Sequence, residues 1–338
     1  MTFSRHLPRP GLAAGILILT ALCLGAPPAL AARQSVMTGA GEDGRMVAGL
    51  AVWLFGGAAV LWLLMNGLFL YVTRLNPRPL SRRWAEALIV GGGVLLPVLV
   101  LSVLLGFTLA RIPDHTRPGD GLRVHVTGED WWWRVEYHLP GQAAPVIAAN
   151  EIRLPVDRRS DISLTSGRVI HSFWIPALGG KLDMFPGRET RMSLLPEEPG
   201  IWRGQCTEFC GTSHALMAFE AVVMEPAAFD AWLAAEAAPA LPPADDLARQ
   251  GAAVFLAEGC GGCHAIRGTE AAGLVGPDLT HLGGRESLAA GILPMTPEAL
   301  TRWIRDPAAI KPGAHMPAYD YLSGADLEAL AQYLAGLK

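Results

Sequence analysis

The sequence predicts a multidomain chain in three parts: a two-helix transmembrane hairpin, an all-β Greek-key sandwich and a small all-α domain. Three observations carry that division. Two apolar stretches, Val47 to Val72 and Ala85 to Ala110, each exceed the ~20 residues that a bilayer crossing needs. From Gly121 the pattern turns to short runs of β-branched and aromatic residues separated by Gly and Pro turns. Beyond the Ala- and Pro-rich stretch "AAEAAPALPP", helical periodicity takes over. Only 17% of the 338 residues are charged, and acidic and basic groups nearly cancel to a net −4. That composition suits contact with lipid and argues against a nucleic-acid partner.

The first segment, residues 1–31, reads as a signal peptide. Arg5, His6 and Arg9 precede the apolar run Leu12 to Leu24, and Ala29-Leu30-Ala31 has the form of a signal-peptidase site. At about thirteen residues that run is too short to span a bilayer. Cys23 lies within it, and Leu22 is not the small residue that a lipoprotein site requires, so Cys23 is expected to leave with the signal. Residues 32–112 form the hairpin, with helices over about 47–72 and 85–110. Their connection carries Arg74, Arg78, Arg82 and Arg83 and no acidic residue, which places it in the cytoplasm and everything after about Ile112 outside.

Residues 113–233 hold the β domain, with strands expected over Leu122 to Thr127, Trp131 to Tyr137, Asp161 to Thr165 and Thr190 to Leu195. Residues 234–244 read as a semi-rigid linker. In the last segment, 245–338, Asp245 to Glu258 has a helical pattern. Thr296 caps a helix whose first position is Pro297, and Ser323 caps a run in which Leu327, Leu330 and Leu334 share a face. A domain of about ninety residues is marginal for a large core, so a bulky cofactor at its centre makes physical sense.

The remaining four cysteines fall in two pairs, Cys206 with Cys210 and Cys260 with Cys263. In an exported domain such a pair ordinarily becomes a disulfide. The segment "QCTEFCGTSHALM" argues otherwise, because His214 and Met217 follow Cys210 closely and His171, in "RVIHSFWIPALGG", adds a second imidazole. Thiolate, imidazole and thioether are the ligands that redox-active copper prefers. Cys260-Gly-Gly-Cys263-His264 is the C-x-x-C-H pattern of c-type haem attachment, in which the thiols add to the haem vinyl groups and the His binds iron. The same pattern serves zinc and thiol-redox sites, but export, domain size and an available sixth ligand favour haem. Met295, His281, His315 and Met316 are the candidates for that ligand.

"HSFWIP" followed by "CTEFCGTSHALM" resembles the dinuclear copper (CuA) signature of cytochrome c oxidase subunit II, over roughly residues 45 to 234. The chain beyond it resembles a class I cytochrome c domain. The resemblance implies a cupredoxin-like β domain in which Cys206 and Cys210 each bridge two coppers, His171 and His214 bind one copper apiece, and Met217 and the Glu208 carbonyl are weak outer ligands. It further implies that the Glu208 side chain reaches a Mg2+ shared with the catalytic subunit. Trp131, within the run Trp131-Trp132-Trp133, would pass electrons to copper. The stretch "IKPGAHMPAY" is similar to the axial-methionine loop of cytochromes c, which assigns Met316 to the iron with His315 as the alternative, and the Pro277 carbonyl would orient His264.

The function so implied is electron transfer within a respiratory haem-copper oxidase of a bacterial plasma membrane. Electrons would pass from a donor, cytochrome c or a quinol-oxidising complex, to haem c, to CuA, and then to subunit I, which reduces O2, with subunit III alongside. The copper and haem domains would face the periplasm or exterior. Two readings share these cofactors: a CuA-containing subunit of a nitrogen-oxide reductase, and a non-enzymatic copper carrier. Two departures from the family stand out. Arg168 occupies a position where relatives served by free cytochrome c often carry a carboxylate, leaving Asp183 as the alternative docking charge. Glu86 lies near the start of the second helix, where many relatives carry a carboxylate at the mouth of a proton path, but its register against Pro97 leaves that role open.

Overall fold

An apolar helix with no polar stripe has no reason to stop at a bend and every reason to sit in lipid. In the computed structural model, which describes residues 33–75, 79–112, 114 and 117–338, α1 (Glu42–Leu70) runs directly into a π-helical turn, Tyr71–Leu75. The second apolar segment consists of α2 (Arg82–Ala87), a π-helical stretch, Leu88–Leu95, and α3 (Leu96–Leu109). The two continuous helices measure 34 and 28 residues, long enough to cross a bilayer, and their apolar faces are open all round. Pro97 supplies no amide to the preceding turn, so the wide turns before it have a local cause. The expected signal peptide, Cys23 and Arg78 lie outside the described residues. Glu86 pairs with Arg82 one helical turn earlier, at 2.8 Å on an exposed face.

α1 begins five residues before Val47, the apolar boundary. Its first turn is held by the β domain. The Glu42 amide donates to the Leu195 carbonyl at 3.0 Å, the Gly44 amide to the Leu178 carbonyl at 3.1 Å, and the Glu42 carboxylate receives Arg117 and Arg159. Tertiary hydrogen bonds, which hydropathy does not register, set this end of the helix.

The β domain is two five-stranded sheets face to face. The first contains β1 (Leu122–Gly128), β2 (Trp133–His138), β3 (Val146–Ala149), β5 (Ser160–Ser166) and β8 (Thr190–Leu194), in the order β3-β2-β1-β5-β8. The second contains β4 (Glu151–Pro155), β6 (His171–Trp174), β7 (Leu182–Met184), β9 (Gly200–Cys206) and β10 (Ala218–Met224), in the order β4-β10-β9-β6-β7. β1 pairs with β5, and β4 with β10, in parallel; the other neighbours are antiparallel. Alternation turns Leu122, Val124 and Val126 inward and Arg123, His125 and Thr127 outward. Between the sheets, Phe173 stacks on Phe219 at 4.9 Å and Trp133 meets Phe219 edge-on at 5.0 Å. The run from Trp131 enters its strand only at Trp133. A pair of backbone hydrogen bonds between Glu129 and Trp132 closes a turn first, which leaves Trp131 and Trp132 at the edge of the sandwich.

α4 (Pro226–Glu236) lays Phe229 and Leu233 on the sandwich. The chain that follows is tethered: the Ala240 amide donates to the Arg267 carbonyl at 2.9 Å, His281 Nε2 donates to the Ala238 carbonyl at 3.1 Å, and Arg267 donates to the Glu236 carbonyl. The last domain is built from α5 (Asp246–Ala257), α6 (Pro297–Arg305), α7 (Pro307–Ile310) and α8 (Gly324–Gly336), with a short ladder of β11 (Ser287–Leu288) and β12 (Leu293–Pro294). The side chains of Asp245, Thr296 and Ser323 cap α5, α6 and α8 by accepting an amide three residues on, and Leu327, Leu330 and Leu334 are buried together.

The β and α domains are joined by more than the chain. The Ala218 amide donates to the Ala290 carbonyl at 3.0 Å, Arg203 to the Gly291 carbonyl at 2.8 Å, Arg153 to the Gly284 carbonyl at 3.0 Å, and Arg134 to the Leu274 carbonyl at 2.9 Å. The Glu286 amide in turn reaches the Glu151 carboxylate at 2.8 Å. This docking aims the open side of the α domain at Trp131.

Candidate copper and haem sites

β6 opens on His171 and β9 closes on Cys206, in adjacent antiparallel strands paired at Phe173 and Cys206. The chain then turns through Cys210 and Gly211, makes a 3-10 turn over His214–Leu216, and enters β10 after Met217. That path brings together all six donors implied by the resemblance. The two Sγ atoms lie 3.7 Å apart, His171 Nδ1 is 3.7 Å from Cys206 Sγ, and His214 Nδ1 is 3.5 Å from Cys210 Sγ. Met217 Sδ is 3.9 Å from Cys210 Sγ, and the Glu208 carbonyl is 3.3 Å from Cys206 Sγ. His171, Cys206, Cys210 and Met217 are all buried.

A disulfide would hold the sulfurs at about 2.05 Å, so these thiols are free. The hydrogen bond from Cys210 pushes the Cys206 thiol down to about 3 against the pull of burial, with help from His171. The same neighbour, its negative charge and burial push Cys210 far up. Only a strong positive charge between them makes both thiolates stable, which is what a bound metal supplies. Two thiolates, two imidazoles, a thioether and a carbonyl fit soft redox-active copper.

The other side chains expected around copper separate. The Glu208 carboxylate and Phe209 project outward from the loop, Phe209 being 77% exposed, and among the described residues no cluster of candidate metal ligands includes Glu208. Trp133 sits in the core 6.3 Å from the His171 ring, while Trp132 stacks under Arg134. Trp131 faces the α domain. Its Nε1–H donates to the Cys210 carbonyl at 2.9 Å, and its ring lies 6.2 Å from the ring of His315. Gly211 (φ +114°) and Gly313 (φ +82°) press on the indole, an added Cβ lying only 3.1 and 3.0 Å from it. Both have a backbone conformation and a clearance that favour glycine. Arg168 reaches Asp130, next to Trp131, at 3.4 Å, while Asp183 lies in β7 opposite Ser172.

In the α domain Cys260, Cys263 and His264 line one cavity with Met316 and His315. His264 Nδ1–H donates to the Pro277 carbonyl at 2.7 Å; a carbonyl only accepts, so the tautomer is fixed and the Nε2 lone pair is free. Burial pushes the ring toward the neutral form, outweighing that hydrogen bond. At Gly276 an added Cβ would lie 2.8 Å from His264 Nδ1, so the ring needs a residue without a side chain there. Two adjacent thiols, a neutral imidazole and a thioether around an apolar cavity suit a covalently held haem. Of the four sixth-ligand candidates, Met295 packs against the domain core and His281 binds the Ala238 carbonyl, and neither lines the cavity. Replacing Met316 by Ala is therefore expected to abolish the weak near-infrared sulfur-to-iron band of the oxidised protein, whereas Met295→Ala keeps it. The opposite result would assign the iron to Met295.

Sequence reasoning missed Gly211, Gly276, Gly313 and Lys311. The only sequence signal for the last was a single cation beside a Pro-Gly turn in the loop leading to Met316.

Residues 139–225 match the family described as cytochrome C oxidase subunit II, periplasmic domain, and residues 248–338 match the cytochrome c family. The chain is 40% identical to cytochrome c oxidase subunit 2 of Alkalihalophilus pseudofirmus over 247 residues, covering 72% of this chain and 70% of that one. It is 33% identical to cytochrome c oxidase subunit 2 of Bacillus subtilis over 255 residues, covering 72% and 70%. Among solved structures, it is similar to the periplasmic domain of subunit II of cytochrome oxidase from Bradyrhizobium japonicum. That match has 29% identity and a TM-score of 0.32, covering 35% of this chain and 94% of the other.

Proposed function

Since the chain belongs to the cytochrome c oxidase subunit II family, as a member with a cytochrome c domain at its C-terminal end, we propose that its two exported domains form one electron relay in which Trp131 is the joint. Haem c and dinuclear copper supply one-electron carriers whose oxidation state changes without bonds being made or broken. The direction proposed is donor, haem domain, Trp131, copper loop, catalytic subunit. The observation that carries it is the contact run from the haem cavity to the copper loop. His315, the neighbour of Met316, meets the Trp131 ring, and that ring's Nε1–H is hydrogen-bonded to the carbonyl of Cys210.

The residues divide the work. Cys260 and Cys263 would hold the haem covalently, with His264 and Met316 as its axial ligands and the Pro277 carbonyl fixing His264. His171, Cys206, Cys210, His214, Met217 and the Glu208 carbonyl would hold copper. The burial of His171, Cys206 and Met217 limits how far ligands move when the charge changes, which keeps the transfer barrier low. The outward Glu208 carboxylate would reach a Mg2+ whose other ligands come from the catalytic subunit. Arg168, paired with Asp130, makes the copper corner a poor docking patch for a basic soluble protein, which supports intake through the attached haem domain. Subunit III and either cytochrome c or a quinol-oxidising complex as donor complete the assembly. The arginines of the hairpin connection would face the cytoplasm, and both exported domains the outside.

Rapid mixing of the intact oxidase with reduced donor tests the order. The reduced haem band should rise before the near-infrared copper absorption bleaches. Copper bleaching first, with the haem following, would reverse the proposed route.

A further inference from the structure

We infer that the ammonium of Lys311 is the counter-charge for a haem propionate and, through the same group, ties the cofactor to the copper domain. This rests on the reading that the α-domain cavity takes haem c. Lys311 is only 4% exposed and lines that cavity together with His264 and Met316. Its Nζ donates to the Trp131 carbonyl at 2.7 Å, on the copper domain, and to the Ala289 carbonyl at 3.0 Å, on the haem domain. An ammonium has three protons, and these carbonyls account for two.

Carbonyl dipoles solvate a buried cation but do not neutralise it, and a buried charge without a counter-ion is strongly disfavoured. Among the described residues no carboxylate forms an ion pair with Lys311. The one opposing influence on it comes from Cys210, a copper-site thiol whose charge, when ionised, the metal would claim. Burial accordingly pushes the ammonium down to about 7. Arg285, the other buried cation lining the cavity, differs in that the negative charges of Glu236, Asp278 and Glu151 act on it. A haem brings two propionate carboxylates and no other anion. The residue lacking an anion and the cofactor carrying one meet in the same cavity, at the seam between the domains.

The test is a redox titration of the haem in the whole oxidase, comparing Lys311→Met with Lys311→Arg. With the cation removed, an uncompensated propionate favours oxidised iron, so Lys311→Met should lower the haem midpoint potential while Lys311→Arg stays near the parental value. A clamp between domains and nothing more would slow haem-to-copper transfer in both variants and leave both potentials unmoved, and that result overturns the inference. Equal falls in the two variants overturn it as well. A second reading uses only the parental complex, with 13C-labelled haem propionates followed by infrared spectroscopy. At about pH 4.5, near where an unpaired alkyl carboxyl is half protonated, one propionate should remain fully ionised. Ordinary titration of both propionates there overturns the pairing. A parental chain carrying no haem at all would instead overturn the function reading beneath it.

Discussion

A Cys260→Ala, Cys263→Ala chain that still holds its copper is expected to oxidise the physiological donor roughly a thousandfold more slowly than the parental chain. The size of the effect follows from tethering. An attached partner acts at an effective concentration on the order of millimolar, against micromolar levels of a free donor that must find the copper corner unaided. Here the advantage is larger than a loose linker provides, because the haem domain is seated by hydrogen bonds from Arg203, Arg153, Arg134 and the Ala218 amide. The loop before Met316 is held as well, with Ser213 donating to the Pro312 carbonyl at 2.6 Å. The copper spectrum of the variant serves as the control for folding, since the β sandwich has its own core. Turnover at the parental rate would make the haem domain a bystander and end the relay account.

Cys206→Ser should abolish oxygen uptake by the complex and change the copper signal in kind. Electron paramagnetic resonance of the parental chain is expected to show hyperfine coupling to two equivalent copper nuclei, the signature of one unpaired electron shared across two bridging sulfurs. With Ser at 206, one thiolate remains, a hydroxyl does not replace a soft anionic bridge, and the site becomes mononuclear or empty. The 3.7 Å between the thiol sulfurs is the geometric basis of this expectation. A four-line, single-copper spectrum from fully loaded parental protein would refute the dinuclear assignment.

Most of the architecture was legible because it rests on local signals. Hydropathy marked two membrane helices, alternation marked β1 and β5, and Asp245, Thr296 and Ser323 marked helix starts at which the side-chain caps are found. Where local signals and tertiary contacts competed, the contacts won. α1 starts at Glu42 because Leu195, Leu178, Arg117 and Arg159 hold its first turn, and Trp131 leaves the strand pattern because a turn at Glu129 and Trp132 intervenes.

The sequence by itself determined which donor atoms this protein has and how they are grouped. Cys206 and Cys210 stand beside His214 and Met217, and Cys260 and Cys263 beside His264, because ligand chemistry demands particular side chains at short chain spacings. Only the tertiary structure decided how the two sites face each other. It turned Trp131 out of the sandwich onto His315, set Gly211 and Gly313 against the indole, and buried Lys311 between the Trp131 and Ala289 carbonyls. Those contacts join residues as much as 184 positions apart, as Trp131 and His315 are. Side chains that meet across a domain seam are selected by packing and by the need to satisfy buried charge, and neither leaves a periodicity or a motif along the chain.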